Sequence, residues 1–127
     1  MSPTPQEVIA LYEEHAKLQE GAGTTIQKQE LTARLDRQLQ CVQWEVEVSD
    51  VADLYGGDFI LHGKAKVIQP SRWGRNNSTD MDFTAHLEGK ELRERLLALK
   101  PRQRVRVEGQ LSYFSNHFRM NPARLLD

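Results

Sequence analysis

Two periodicities divide the chain. Up to about residue 39 the apolar positions recur at helical spacing, and from about Gln40 they alternate. Thr4 predicts a helix cap, Pro5 suits the first turn, and Glu7, three residues after the cap, completes a capping box. Val8, Leu11, Tyr12 and His15 then share one face, and Gly21-Ala22-Gly23 ends the helix. A second helix starts at Thr24 or Thr25 and carries a narrow stripe of Leu31, Leu35 and Leu39. The expectation is a helical hairpin, or two loosely joined helices. The stripe has to be buried against the rest of the chain or against a second copy, since short helices gain most of their stability from packing.

Alternation then predicts strands. In the first, Val42, Trp44, Val46 and Val48 face inward, and Gln43, Glu45 and Glu47 face water. Cys41 opens it as a small, half-buried residue. A turn over Asp53-Leu54-Tyr55-Gly56-Gly57-Asp58 leads to a second strand, with Phe59, Leu61, Gly63, Ala65 and Val67 inward and Ile60, His62, Lys64 and Lys66 outward. Gly63 marks a bulge or a sharply coiled sheet. Residues 69–79 lack a period and read as a loop. Met81, Phe83, Ala85 and Leu87 form the inner face of a third strand, and Lys90–Leu99 reads as a short helix with Leu92, Leu96 and Leu99 on one side, stopped by Pro101. Arg104–Phe114 and His117–Leu125 are the last two strands, joined at Ser115-Asn116, and Pro122 argues for an edge or a strand end.

The order β-β-β-α-β-β predicts a mainly β chain: a five-stranded OB-fold barrel over residues 40–127, with an N-terminal helical extension over 1–39. The short helix would plug one opening of the barrel. An SH3-like barrel or an α+β sheet are the competing architectures.

Composition narrows the function classes. The chain has 17 basic and 18 acidic residues, a formal charge of −1, and one cysteine. A polybasic tail, a single-sign surface field, an intrachain disulfide and a multi-cysteine metal cage are excluded. No apolar run reaches the ~18 residues of a membrane span, and no basic start leads into an apolar stretch, so a cytoplasmic location is expected. The charge is uneven, −2 over residues 1–40, −3 over 41–87 and +4 over 88–127.

The stretch from Phe83 to Leu111, through Gly89-Lys90-Glu91-Leu92 and Val105-Arg106-Val107-Glu108-Gly109-Gln110-Leu111, resembles bacterial single-stranded DNA-binding proteins. There a third strand ends in a Gly-Lys step, a helix follows, and the fourth strand reads approximately Val-x-(Ile/Val)-Glu-Gly-x-Leu. With its leading helix the chain is also similar to tRNA-anticodon-like OB families. The resemblance covers about the last 85 residues. It implies an OB fold and an oligonucleotide ligand. Two departures stand out: the forty helical residues before the first strand, and an end at Asp127 without a flexible acidic tail.

Three constellations could contact a ligand. Arg72-Trp73-Gly74-Arg75 joins strands two and three, where an indole can stack on a base and guanidinium groups can meet phosphate, or Trp73 can fold back as packing. Lys64, Lys66, Arg104, Arg106 and Arg119 point to the wet face by strand parity, with Lys64 and Lys66 the best phosphate candidates. Around the last hairpin, Tyr113 and Phe118 point inward, leaving Phe114 and His117 exposed for stacking. Glu45, Glu47, Asp80 and Asp82 oppose phosphate binding and offer Lys64 and Lys66 cross-strand partners. Catalysis finds little support: no phosphate-binding loop or nucleophile–base pair occurs, no histidine has a second ligand at metal spacing, and Asp80 and Asp82, which share a face that could hold Mg²⁺, read more simply as a solvated strand face.

The resulting expectation is a non-enzymatic module binding single-stranded DNA or RNA through Arg72, Trp73, Arg75, Lys64, Lys66, Phe114, His117 and Arg119, with no cofactor, metal or membrane. The alternative is a protein-interaction adaptor using the barrel and the helical arm, including a homodimer through the N-terminal helices.

Overall fold

The computed structural model describes residues 2–70 and 76–126. Helix α1 spans Pro5–Lys17, runs into a wide turn at Leu18–Ala22, and is followed by α2, Thr25–Leu39. Strands β1 (Val42–Asp53), β2 (Asp58–Pro70) and β3 (Asn76–Glu88) precede α3 (Leu92–Leu97), and β4 (Arg104–Phe114) and β5 (His117–Leu125) complete the chain. The strands close in the order β1-β2-β3-β5-β4, with β4 paired back onto β1. All ladders are antiparallel except β3 with β5. That order, closure and single parallel pair make the barrel an OB fold, and they exclude an open sheet.

Local chemistry sets the elements. At Thr4 only half of the expected capping box forms. The Thr4 hydroxyl accepts the Glu7 N–H at 3.3 Å, but it also donates to the Glu7 carboxylate at 3.0 Å. The reciprocal box sits at the second helix, where the Thr24 N–H reaches Gln27 Oε1 at 2.9 Å and the Gln27 N–H reaches Thr24 Oγ1 at 3.4 Å. Gly21 takes φ +98° in the turn between the helices.

Inward alternation on the strands is as expected, and the barrel wall depends on close backbone approach at two glycines. A Cβ on Gly63 would lie 2.4 Å from the Glu47 carbonyl oxygen, where β1 bulges between Val48 and Asp50. On Gly109 it would lie 2.1 Å from the Pro122 carbonyl oxygen. The position of Pro122 corrects the sequence reading. β5 is paired on both sides, and both ladders step over Asn121-Pro122, so the proline occupies a bulge rather than an edge or an end. The β2–β3 ladder also continues through Pro70 opposite Asn76, so residues 69–70 and 76–79 are strand rather than loop. The helix expected over Lys90–Leu99 is shorter, because Gly89 at φ +130° and a turn at Lys90 delay its start.

The core runs from the barrel into the helices. Val42, Val46, Leu61, Phe83, Leu87, Val107, Phe118 and Met120 are buried in one cluster with Val8 and Ile9 of α1 and Leu35 and Leu39 of α2. Leu31 is buried as well, so the leucine stripe is covered within this chain. α1 lies against β2 and β4, and α2 against β4. An aromatic series crosses this junction: Tyr12 meets Tyr113 at 5.7 Å, Tyr113 meets Phe118 at 4.9 Å, and Phe118 meets the Trp44 ring edge-on at 5.0 Å. The segment before α1 is tied to the start of β1. The Trp44 indole N–H donates to the Pro3 carbonyl at 2.7 Å, and the Gln43 N–H to Ser2 Oγ at 2.8 Å. α3 covers the opposite end, where Arg93 pairs with Asp53 at the end of β1.

Candidate nucleic-acid interface

Strand parity sends the charged residues to the outer wall, and the register decides which meet. Glu45 and Glu47 of β1 stand opposite Arg106 and Arg104 of β4, and Glu47 stands opposite Lys64 of β2. Lys64 and Lys66 in turn stand opposite Asp82 and Asp80 of β3. Arg104 reaches Glu45 at 3.4 Å, and Lys64 is hydrogen-bonded to Asp82. That contact raises the Lys64 ammonium above its ordinary value and holds the Asp82 carboxyl below its own. The result is a belt of alternating sign around β4, β1, β2 and β3, in which the basic last third of the sequence is cancelled by the acidic middle third.

The belt changes character at β5. Asp82 stands opposite His117, and Thr84 opposite Arg119. The His117 ring is hydrogen-bonded through Nε2 to Thr84 Oγ1 at 2.6 Å. Ser115 and Asn116 both take left-handed backbone, φ 51° and 61°, which forms the tight hairpin their sequence announces. The turn throws Phe114 outward, 83% exposed, beside a buried Phe118. Ser112, Phe114, Ser115, His117 and Arg119 line a hollow of about 420 Å³. His117 also lines the next hollow, about 310 Å³, with His62, Lys64, Asp82 and Thr84. Lys64 is shared again with a third, lined by Glu45, Glu47, Lys66, Asp80 and Arg104. A path of linked hollows therefore crosses the outer wall from the β4–β5 hairpin to β1.

Of the residues singled out from sequence, the structure brings Phe114, His117 and Arg119 around one hollow and joins Lys64 to it through His117. Lys66 is exposed further along the same wall. Arg72, Trp73 and Arg75 lie outside the described residues. Tyr113 and Phe118 turn inward as expected, and burial pushes the Tyr113 phenol up. Cys41 is exposed rather than half-buried, because β1 begins one residue later. Its thiol is raised by a hydrogen bond to Glu108. A larger hollow of about 870 Å³ is a wide depression between Ser2, Glu7, Arg37, Cys41 and Gln43, with no aromatic side chain in its lining.

Two features escaped the sequence reading. Tyr55 is 84% exposed at the β1–β2 turn, held at φ 67° while its N–H donates to the Asp53 carboxylate at 2.7 Å. Only its place in a glycine-rich turn hinted at this. The second is the gathering of Asp58, His86 and Glu88, whose ligand atoms all lie within 4.8 Å of one another. His86 and Glu88 share one face of β3 two residues apart, and Asp58 joins them across the β2–β3 register, which spacing along the chain does not show.

No protein-family model matches the chain, and no curated protein matches it. Solved structures similar to it include the Plasmodium falciparum SSB complex with ssDNA, at 17% identity and a TM-score of 0.45, over 70% of this chain and 96% of that one. A small single-stranded DNA-binding protein from Streptomyces coelicolor aligns at 11% identity and 0.45, over 68% and 93% of the two chains. The protein PriB from Ralstonia solanacearum aligns at 8% and 0.38, over 69% and 98%. It is the strand order and closure, not these similarities, that define the fold. No helix among the described residues is long and apolar enough to cross a membrane.

Proposed function

We propose that the barrel is a non-enzymatic module that binds single-stranded nucleic acid across its outer wall, from the β4–β5 hairpin over β5, β3 and β2. The observation that supports this reading is an aromatic ring held almost fully in water beside a histidine and an arginine, at the mouth of a linked series of hollows. A side chain as apolar as Phe114 gains nothing there from the fold itself. A base stacked on it would contribute about 1–3 kcal/mol. His117 and Thr84 supply hydrogen-bonding groups, and Arg119 and Lys66 supply charge for phosphate. Lys64 joins them by exchanging Asp82 for a phosphate oxygen. By their sequence alone, Arg72, Trp73 and Arg75 add a second stacking and phosphate-binding group from the connection between β2 and β3.

The charge-matched belt predicts modest affinity with strong salt dependence. The test is anisotropy of labelled single-stranded and double-stranded oligonucleotides in about 20 mM salt, followed by a salt titration. Saturable binding of the single strand, weakened about tenfold or more by Phe114→Ala, is the expected result. No binding of any single strand at low salt overturns the reading.

The belt also favours a second reading, an adaptor for a protein partner. Among the described residues Lys64 and Arg104 already have carboxylate partners, and the chain carries a formal charge of only −1. On that reading Phe114 and Tyr55 anchor a protein surface, and the oligonucleotide assay is blank. The leucine stripe of α2 is buried within the chain, so any such surface lies elsewhere than on that stripe.

A further inference from the structure

We propose that Asp58, His86 and Glu88 form a binding site for a divalent cation of borderline softness, Zn²⁺ first, at the end of the β2–β3 ladder. Asp58 and Glu88 are directly opposite in the register, and His86 stands opposite Ile60, so all three side chains leave the same outer face. Their ligand atoms lie within 4.8 Å of one another, and His86 Nε2 is 3.9 Å from Asp58 Oδ1. That is too long for a hydrogen bond. It is close to the roughly 3.3 Å that separates two ligands of a tetrahedral zinc with bonds of about 2.0–2.2 Å.

Three further observations converge on this site. Two carboxylates directly across an antiparallel pair repel, an arrangement sheets avoid. Elsewhere on the wall four acids meet basic groups: Asp82 meets Lys64, Asp53 meets Arg93, Glu45 meets Arg104, and Glu108 meets Arg124. Among the described residues no lysine or arginine pairs with Asp58 or Glu88, and the Lys90 stem lies against Gly57 instead. The backbone beneath is also fixed, because the Gly89 N–H donates to the Gly57 carbonyl at 2.9 Å, just outside the Asp58–Glu88 pair. One imidazole and two carboxylates on adjacent strands therefore converge without a cation of their own. One imidazole nitrogen with two carboxylate oxygens suits Zn²⁺ better than Mg²⁺, which prefers oxygen ligands and keeps its waters. Three protein ligands leave a coordination position for water or an anion. Bound there, the ion would staple β2 to β3 and place positive charge on the wall that holds Thr84 and His62.

The experiment is titration of the full chain with Zn²⁺ by calorimetry in the absence of oligonucleotide, with Co²⁺ visible absorption as the spectroscopic probe. A 1:1 isotherm is expected, with intense Co²⁺ bands of low coordination number. His86→Ala, Asp58→Asn and Glu88→Gln should each weaken binding by at least the roughly 10–100-fold that loss of even an outer partner costs. These side chains are on the outer wall, and unchanged circular dichroism verifies that the barrel is kept. His15→Ala, on α1, should leave the isotherm unchanged. Absence of saturable binding at millimolar Zn²⁺ overturns the site, as does binding that survives His86→Ala or that Mg²⁺ displaces equally well. None of these outcomes involves nucleic acid, so the result is independent of the oligonucleotide assay.

Discussion

The β4–β5 hairpin and the belt over β1, β2 and β3 follow the same alternation rule, yet they present opposite surfaces. In the belt, each outward cation arrives opposite an outward acid, and Lys64 and Arg104 are engaged by Asp82 and Glu45. At the hairpin, the outward positions are Phe114, His117 and Arg119, and among the described residues no carboxylate pairs with Arg119. Parity decides only which side of the wall a residue faces. Register decides whether it is spoken for when it gets there. A count of outward lysines and arginines would favour the belt for phosphate; pairing engages two of the belt's cations and is the reason the proposed path starts at the hairpin.

Four substitutions press on this contrast. The largest effect belongs to the ring on the inner side of the hairpin. Phe118→Ala should cost about 3–5 kcal/mol of stability, measured by urea unfolding, because it empties a fully buried site against Trp44 and Tyr113. Below the belt, Gly63→Ala should cost about 1–3 kcal/mol, since its Cβ would press on the Glu47 carbonyl and backbone must yield. A neutral result there would mean that the β1–β2 bulge is not what holds the belt in register. Phe114→Ala should leave the unfolding midpoint within error and lose about 1–3 kcal/mol of oligonucleotide binding. A stability loss as large as that of Phe118 would make it a packing residue and remove the contrast.

The smallest effect is expected at the belt. Asp82→Asn releases Lys64 and removes a negative charge from the wall, so single-strand affinity should rise a few-fold and the salt slope steepen by about one phosphate's worth. Unchanged affinity and slope would mean that the ligand path stops at His117. The same pair gives a pH signature with a defined sign. The Asp82 carboxyl is held low in the folded chain, so its contribution to stability is present above its unfolded value and is lost as pH falls through the lower folded one. The Lys64 ammonium is raised, so its share is present below its unfolded value and is lost as pH climbs through the folded one. Asp82→Asn should flatten the acid limb of stability against pH.

Much of the barrel was legible because its signals are local. β4 and β5 fall on the residues that alternation and the Ser115-Asn116 turn assign to them. The strand assignments that failed had non-local causes. Pro122 reads as an edge residue until two ladders are seen to step over it. Gln69, Pro70 and Asn76 have no apolar period, and they become strand only because each finds a partner across the hairpin. The site divides the same way. The exposure of Phe114 follows from parity, whereas His117, expected to be exposed, is half-buried because its ring is bonded to Thr84. The Thr84 partner of His117, the exposed Tyr55 and the approach of Asp58 to His86 all depend on registers or turns that spacing does not encode.

The sequence by itself determined the order of the elements, the inward face of every strand and the need to bury the leucine stripe. These follow from periods of 2 and 3.6 residues acting through hydrophobic burial, which is additive along the chain. Tertiary structure decided which charges cancel. The formal +4 of residues 88–127 and −3 of residues 41–87 look like two surfaces in sequence. Closure lays β4 against β1, and much of that difference is spent between neighbouring strands. Electrostatic pairing falls steeply with distance, so it is set by register and not by composition.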